Sequence, residues 1–159
     1  MPVLPSFRSR VGSRGYLVSM SRGHHNDHLR SVPLFTELDD DELDSIGSAL
    51  TELRFSAGET LLRQGSYARE MVIIVDGELV VSKNGIEIAT IGRGGFAGEI
   101  GLLTDSKRNA TVAAKSDVTV LHLDARSFDS VLNEAPELAV KMLPIVAERA
   151  VANGEQPTD

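Results

Sequence analysis

The chain contains no cysteine and no tryptophan, and aromatic residues make up only 4% of its 159 positions. Without cysteine there can be no disulfide, no thiolate nucleophile and no cysteine-held metal. Such usage fits a reducing compartment, and a cytoplasmic location is expected. Long apolar runs are missing too. The longest, Met71–Val75, falls far short of the roughly 20 residues that span a bilayer, and no secretory apolar segment opens the chain. Basic residues are in deficit: 16 Lys and Arg stand against 23 Asp and Glu, a net charge of −7. The deficit is uneven. Residues 1–30 hold Arg8, Arg10, Arg14, Arg22 and Arg30 against Asp27 alone, +4, so the remainder carries −11. An acidic body repels the phosphates of DNA, so direct DNA binding is not expected. The same acidity marks Lys107 and Arg108 as cations kept for a local purpose.

One domain is the natural count at this length. Residues 1–23 are rich in Arg, Ser and Gly without apolar period and are expected to be a disordered basic tail. Met20 is as credible a start as Met1, and although an Arg-rich opening also fits a transit peptide, no amphipathic pattern supports one. The folded domain is expected over 24–153, with a disordered end at 154–159. Asp39 can cap a helix over about 40–50, with Leu43, Ile46 and Leu50 on one face. Strand-like segments follow near 52–56 and 59–63. Asp76-Gly77 and Asn84-Gly85 then read as two successive hairpin turns of an antiparallel meander. Further strands are expected at 109–115 and 118–123. Asp124 can cap a helix to about Leu132, and Pro136 suits the first turn of a last helix reaching about Asn153. Pro144 should kink that helix. The fold class is mainly β with flanking helices (α+β): an antiparallel jelly-roll barrel with N-terminal helices and one C-terminal helix.

The chemistry gathers at Gly98-Glu99-Ile100-Gly101-Leu102-Leu103 and Arg108-Asn109-Ala110-Thr111-Val112. Glycine lets backbone approach a ligand closely. Amides opening a short helix point at negative charge. Arginine offers a planar two-pronged donor for phosphate oxygens. Glu99 cannot bind phosphate but accepts from a sugar hydroxyl. The ligand implied is a phosphorylated sugar with a free hydroxyl near the phosphate. If Glu99 and Arg108 merely paired with each other on the surface, they would contribute under about 1 kcal/mol.

These residues resemble the phosphate-binding cassette of the cyclic nucleotide-binding domain family, which includes the bacterial catabolite activator protein and the regulatory subunits of cyclic AMP-dependent protein kinase. Its pattern is roughly Phe-Gly-Glu-(Ile/Leu)-Ala-Leu, a short loop, then Arg-x-Ala-(Thr/Ser)-Val. Gly98, Glu99, Ile100, Leu102, Arg108, Ala110, Thr111 and Val112 match. The likeness runs from about His28 to Arg149 and takes in Val32-Pro33-Leu34-Phe35, Ala57-Gly58-Glu59, Gln64-Gly65 and Val75-Asp76-Gly77-Glu78-Leu79. Four positions depart from it: Ala97 for Phe, Gly95 for Asp, Gly101 for Ala and Lys107 for Pro. None removes a phosphate-binding group, though Ala97 should leave less apolar support under the loop.

The resemblance implies a sensor of cyclic AMP, with cyclic GMP the alternative ligand, and no catalysis or resident cofactor. Arg108 with backbone amides from Gly98, Glu99, Ile100, Gly101, Leu102 and Ala110 would hold the cyclic phosphate, and Glu99 the ribose 2′-hydroxyl. Asn109 and Thr111 complete the candidate set. Asn109 replaces the Ala or Thr that leans kinase-type domains toward one nucleotide. Met142, Ile145 and Val146, with Leu138, follow helical spacing as core packing or as a lid over the base. Binding would shift the C-terminal helix between two positions, a change reported to an effector protein that the sequence does not identify. Two alternatives are the sensor half of a transcriptional regulator lacking its own DNA-binding domain, and a degenerate module kept as an interaction surface. A homodimer is open. A metal at His24, His25 and His28 is not expected, because no carboxylate cluster completes a set. His122 is the one histidine of the barrel region, too few for a barrel metalloenzyme.

Overall fold

The computed structural model describes residues 16–17 and 29–154. Among the described residues nine strands form two antiparallel sheets. They are β1 (Tyr16–Leu17), β2 (Thr51–Phe55), β3 (Thr60–Leu62), β4 (Glu70–Asp76), β5 (Leu79–Lys83), β6 (Ile86–Ile91), β7 (Phe96–Ala97), β8 (Thr111–Ala114) and β9 (Val118–Asp124). Four helices lie wholly within the described residues, α1 (Asp40–Ala49), α2 (Glu99–Thr104), α3 (Ala125–Glu134) and α4 (Pro136–Gly154), and a 3-10 turn covers Pro33–Phe35. One sheet runs β1-β2-β9-β4-β7 and the other β3-β8-β5-β6, the two-sheet jelly roll expected from the sequence.

Helix starts obey the capping chemistry. Asp39 and Glu42 form a reciprocal capping box, with Glu42 N donating to Asp39 at 2.8 Å and Asp39 N to Glu42 at 3.0 Å. Asp124 accepts from Ser127 N at 2.8 Å and opens α3. Helix α4 passes through Pro144 without interruption. Proline cannot donate to the carbonyl of Val140, and Val140 is exposed, so water can serve that oxygen.

The meander does not form as expected. Asn84-Gly85 does close a hairpin: Asn84 (φ 53°) and Gly85 (φ 82°) both have positive φ, and Lys83 pairs with Ile86. At Asp76-Gly77 the chain instead leaves one sheet for the other, since β4 pairs with β7 and β9 while β5 pairs with β6 and β8. A Cβ on Gly77 (φ 90°) would come within 2.4 Å of the Asp117 carbonyl. The glycine thus serves a tight corner packed against the β8–β9 crossing, and an Asp-Gly pair suits such a corner as well as a hairpin.

Strand β4 explains its own unbroken apolar run. Met71, Ile73 and Val75 face the helices, in one core with Phe35, Leu43, Ile46, Leu121, Phe128 and Leu138. Val72 and Ile74 face the barrel interior, in a second core with Leu53, Leu79, Val112 and Val120. A strand buried on both faces loses the polar alternation of a half-exposed one.

The tail expected to lack structure over 1–23 pairs at two residues, Tyr16 opposite Arg54 and Leu17 opposite Leu53. Its other residues, the histidines at 24, 25 and 28, and residues 155–159 lie outside the described part. Among the described residues no helix is long and apolar enough to cross a membrane.

Candidate functional site

Between β7 and β8 the chain makes a left-handed residue, a short helix and a return loop. Gly98 (φ 96°) takes the left-handed conformation that glycine favours. A Cβ there would lie 2.9 Å from the Glu70 carbonyl and 3.0 Å from the Arg108 guanidinium, so both conformation and space require glycine. It places Glu99 at the first position of α2, where the leading N–H groups of a helix have no intrahelical partners.

Arg108 is buried, and its fork is fixed by backbone oxygens. Nη1 donates to the Gly98 carbonyl at 3.0 Å, Nη2 donates to the Glu70 carbonyl, and the Glu70 carboxylate lies 3.5 Å away. The loop is clamped at its backbone as well, Arg108 N donating to Ser66 O and Gly65 N to Arg108 O, both at 2.8 Å. Arg108 and Glu99 are both buried, so the surface pairing considered from the sequence is replaced by a buried cation held at a cavity wall.

That cavity, about 400 Å³, is within the range of small-ligand sites. Gly98, Glu99, Ile100, Gly101, Arg108, Asn109 and Ala110 line its polar end. Leu62, Val81, Ala89, Ile91 and Val112 give it an apolar end. Leu102 and Thr111 stand outside the lining: Leu102 packs against the helix-side core, and the Thr111 hydroxyl accepts from Gln64 N at 3.0 Å.

The last helix meets the cavity, but not through the expected side chains. Met142 is buried in the helix-side core, Val146 packs partly against that core, and Ile145 is 39% exposed. The α4 residues at the cavity are Arg149 and Ala152. Arg149 Nη1 donates to Glu99 Oε1 at 2.7 Å, Nη2 donates to the Phe96 carbonyl at 2.8 Å, and the guanidinium lies 4.8 Å from the Phe96 ring centroid. The helix turns its Leu138 and Met142 face inward, and Arg149, eleven and seven residues on, continues that face over the cavity mouth. An arginine at a core-facing helical position was the signal that could have revealed it.

Glu99 is 1% exposed. Arg149 satisfies Oε1, whereas Oε2 is buried without a hydrogen-bond partner among the described residues. A buried carboxylate oxygen of this kind calls for a donor.

Two of the four departures from the family pattern, Gly95 and Gly101, have local steric causes. A Cβ on Gly95 would meet Ile91 at 2.5 Å, and one on Gly101 would meet the Ala68 methyl at 2.5 Å. Ala97 is buried in the barrel core, while its neighbour Phe96, 1% exposed, carries the aromatic ring of the loop. Among the described residues no cluster of His, Asp or Glu could hold a metal.

Residues 52–135 match the family model for the cyclic nucleotide-binding domain. The regulatory subunit of cAMP-dependent protein kinase from Schizosaccharomyces pombe (strain 972) is 33% identical over 84% of this chain and 32% of its own length. The cAMP-bound structure of PfPKA-R superposes with a TM-score of 0.72 at 27% identity, over 84% of this chain and 46% of that one. A regulatory subunit of a cAMP-independent protein kinase A from Trypanosoma cruzi, bound to guanosine, superposes with a TM-score of 0.68 at 26% identity, over 76% of this chain and 44% of that one. The chain belongs to the cyclic nucleotide-binding domain family, and it is similar to the domains of protein kinase A regulatory subunits. It spans about a third or less of the length of the curated relatives it matches.

Proposed function

We propose that this chain is a cyclic AMP sensor, a non-catalytic module whose ligand seats in the cavity between α2 and β6. The observation that carries this reading is the pair of buried groups at the polar end: an arginine fork fixed by two carbonyls and a carboxylate with one oxygen open. Arg108 and the amides opening α2 meet the cyclic phosphate, a singly charged group. Glu99 Oε2 accepts the ribose 2′-hydroxyl. The apolar end receives the purine. A Trypanosoma cruzi relative of this fold is bound to guanosine, so the choice of ligand rests on the groups at the cavity. Here a phosphate-binding arginine accompanies the ribose carboxylate, which favours a nucleotide over a nucleoside. Asn109 at the cavity supports only a modest preference between cyclic AMP and cyclic GMP.

Output runs through Arg149. The ligand hydroxyl and Arg149 share one carboxylate, so binding at Glu99 changes what holds the second half of α4. A ligand shifts that helix only to the extent that it binds its two positions unequally. An effector protein would read the change.

Arg108→Ala tests the site by calorimetry. Loss of a charge-assisted partner, worth about 1.5–3 kcal/mol, should weaken cyclic AMP binding by about tenfold to a hundredfold. A change below about threefold, well inside 1 kcal/mol, would place the phosphate elsewhere.

A further inference from the structure

Arg108 walls two cavities. Behind the nucleotide cavity lies a second one of about 340 Å³, which Arg108 shares with Leu62, Ser66, Tyr67, Arg69 and Glu70. The nucleotide chemistry makes no use of Ser66 or Arg69. Ser66 sits exposed on the turn between β3 and β4, and its hydroxyl donates only locally, to the Arg63 carbonyl at 2.6 Å. The Ser66 backbone is joined directly to Arg108, whose amide it accepts at 2.8 Å.

The charges around this turn are mostly positive, against the acidic trend of the chain. Arg63 and Arg69 stand three residues either side of Ser66 and are exposed. Lys107 lies over the Tyr67 ring at 5.2 Å from its centroid. The one carboxylate at the cavity is Glu70, already beside Arg108 at 3.5 Å. A dianion placed here would meet Arg69 and the rear of Arg108, with Lys107 close by over the Tyr67 ring, and would repel Glu70 from its arginine.

We propose that Ser66 is a phosphorylation site whose phosphate occupies this rear cavity and draws Arg108 away from the nucleotide. The inference rests on the reading of Arg108 as the nucleotide-phosphate ligand. In the transfer, the Ser66 oxygen bonds to the γ-phosphorus of ATP as the bond from that phosphorus to the bridging oxygen breaks. ADP leaves with the electron pair, and the hydroxyl proton passes to the kinase's base. The kinase is of the class that reads arginine three residues ahead of the hydroxyl, the place of Arg63. Phosphorylation is thereby an off-switch on nucleotide affinity that acts from behind the binding site.

Two measurements on the full chain test this. In the first, the chain is incubated with ATP and the catalytic subunit of cAMP-dependent protein kinase as the arginine-directed probe, then analysed by mass spectrometry. One phosphate on Ser66 is expected, absent in Ser66→Ala and strongly reduced in Arg63→Ala. No phosphate on Ser66 overturns the proposal. In the second, phosphoserine is installed at position 66 during translation. Affinity for cyclic AMP should fall by about tenfold or more, with Ser66→Ala binding like the unmodified chain. The second phosphate pKa, read by 31P NMR, should lie below its usual value of about 6, and Arg69→Gln should return it toward that value. Affinity within about threefold and an ordinary phosphate titration overturn the proposal. If the unmodified chain binds no cyclic AMP, the nucleotide reading fails on its own, and the 31P titration alone decides whether the phosphate engages the rear cavity.

Discussion

Arg149, near the end of the last helix, donates to the buried carboxylate of Glu99 at 2.7 Å across 50 residues of sequence. The same guanidinium holds the Phe96 carbonyl and lies over the Phe96 ring. One side chain thus ties α4 to the loop that carries the candidate site. Around it the second half of α4 has little else to hold it, since Leu143, Ile145, Glu148 and Val151 are exposed.

Arg149→Ala should therefore loosen the helix without unfolding the barrel. Hydrogen exchange of amides around 146–152 should accelerate while β4 and β9 keep their protection. Cyclic AMP affinity should fall by about tenfold, because an unpaired buried carboxylate costs more than a paired one. Unchanged exchange in α4 would mean that packing of Val146 suffices to hold it.

Glu99→Gln keeps the size of the side chain but changes its charge. Cyclic AMP should bind more weakly by about threefold to tenfold, the worth of one hydrogen bond, while a 2′-deoxy analogue loses little. Equal losses for both ligands would make Glu99 a structural partner of Arg149 alone.

Asp39, Asp124 and Asn84-Gly85 were legible in the sequence because caps and tight hairpins are decided by residues within three or four positions of one another. The cassette was legible because its glycine and arginine lie ten residues apart on one loop. Asp76-Gly77 misled because positive φ serves a corner between sheets as well as a hairpin, and only the long-range partners of β4 and β5 separate the two. Arg149 was missed for a similar reason. Its partner is a buried group far away in the chain, while the apolar neighbours Ile145 and Val146 advertised themselves by spacing.

Gly101→Ala restores the residue common in the family yet should be harmful here. The new methyl would stand 2.5 Å from the Ala68 methyl. Overpacking of this kind costs about 1–3 kcal/mol. Ala68→Gly in the same chain should recover most of the lost melting temperature. A double variant no better than Gly101→Ala would show that the clash lies elsewhere.

Asp124→Ala removes the cap of α3 and should cost about 1 kcal/mol near neutral pH. The Ser127 amide holds the Asp124 carboxyl below its usual pKa. A lowered pKa means the charged form is favoured by folding, so this contribution is present above the ordinary carboxylate range and lost as pH falls through the folded value. The stability gap between wild type and variant, followed by urea unfolding, should be full at pH 7 and shrink on acidification below about pH 4. A gap independent of pH would rule out the charged cap.

Calorimetric titration of the full chain with cyclic AMP, cyclic GMP and guanosine separates a cyclic nucleotide sensor from a nucleoside binder. One site is expected, with cyclic AMP tightest, cyclic GMP weaker by a modest factor and guanosine weakest, since it lacks the phosphate that Arg108 would meet. Guanosine binding as tightly as cyclic AMP, or no heat from any of the three, would contradict it.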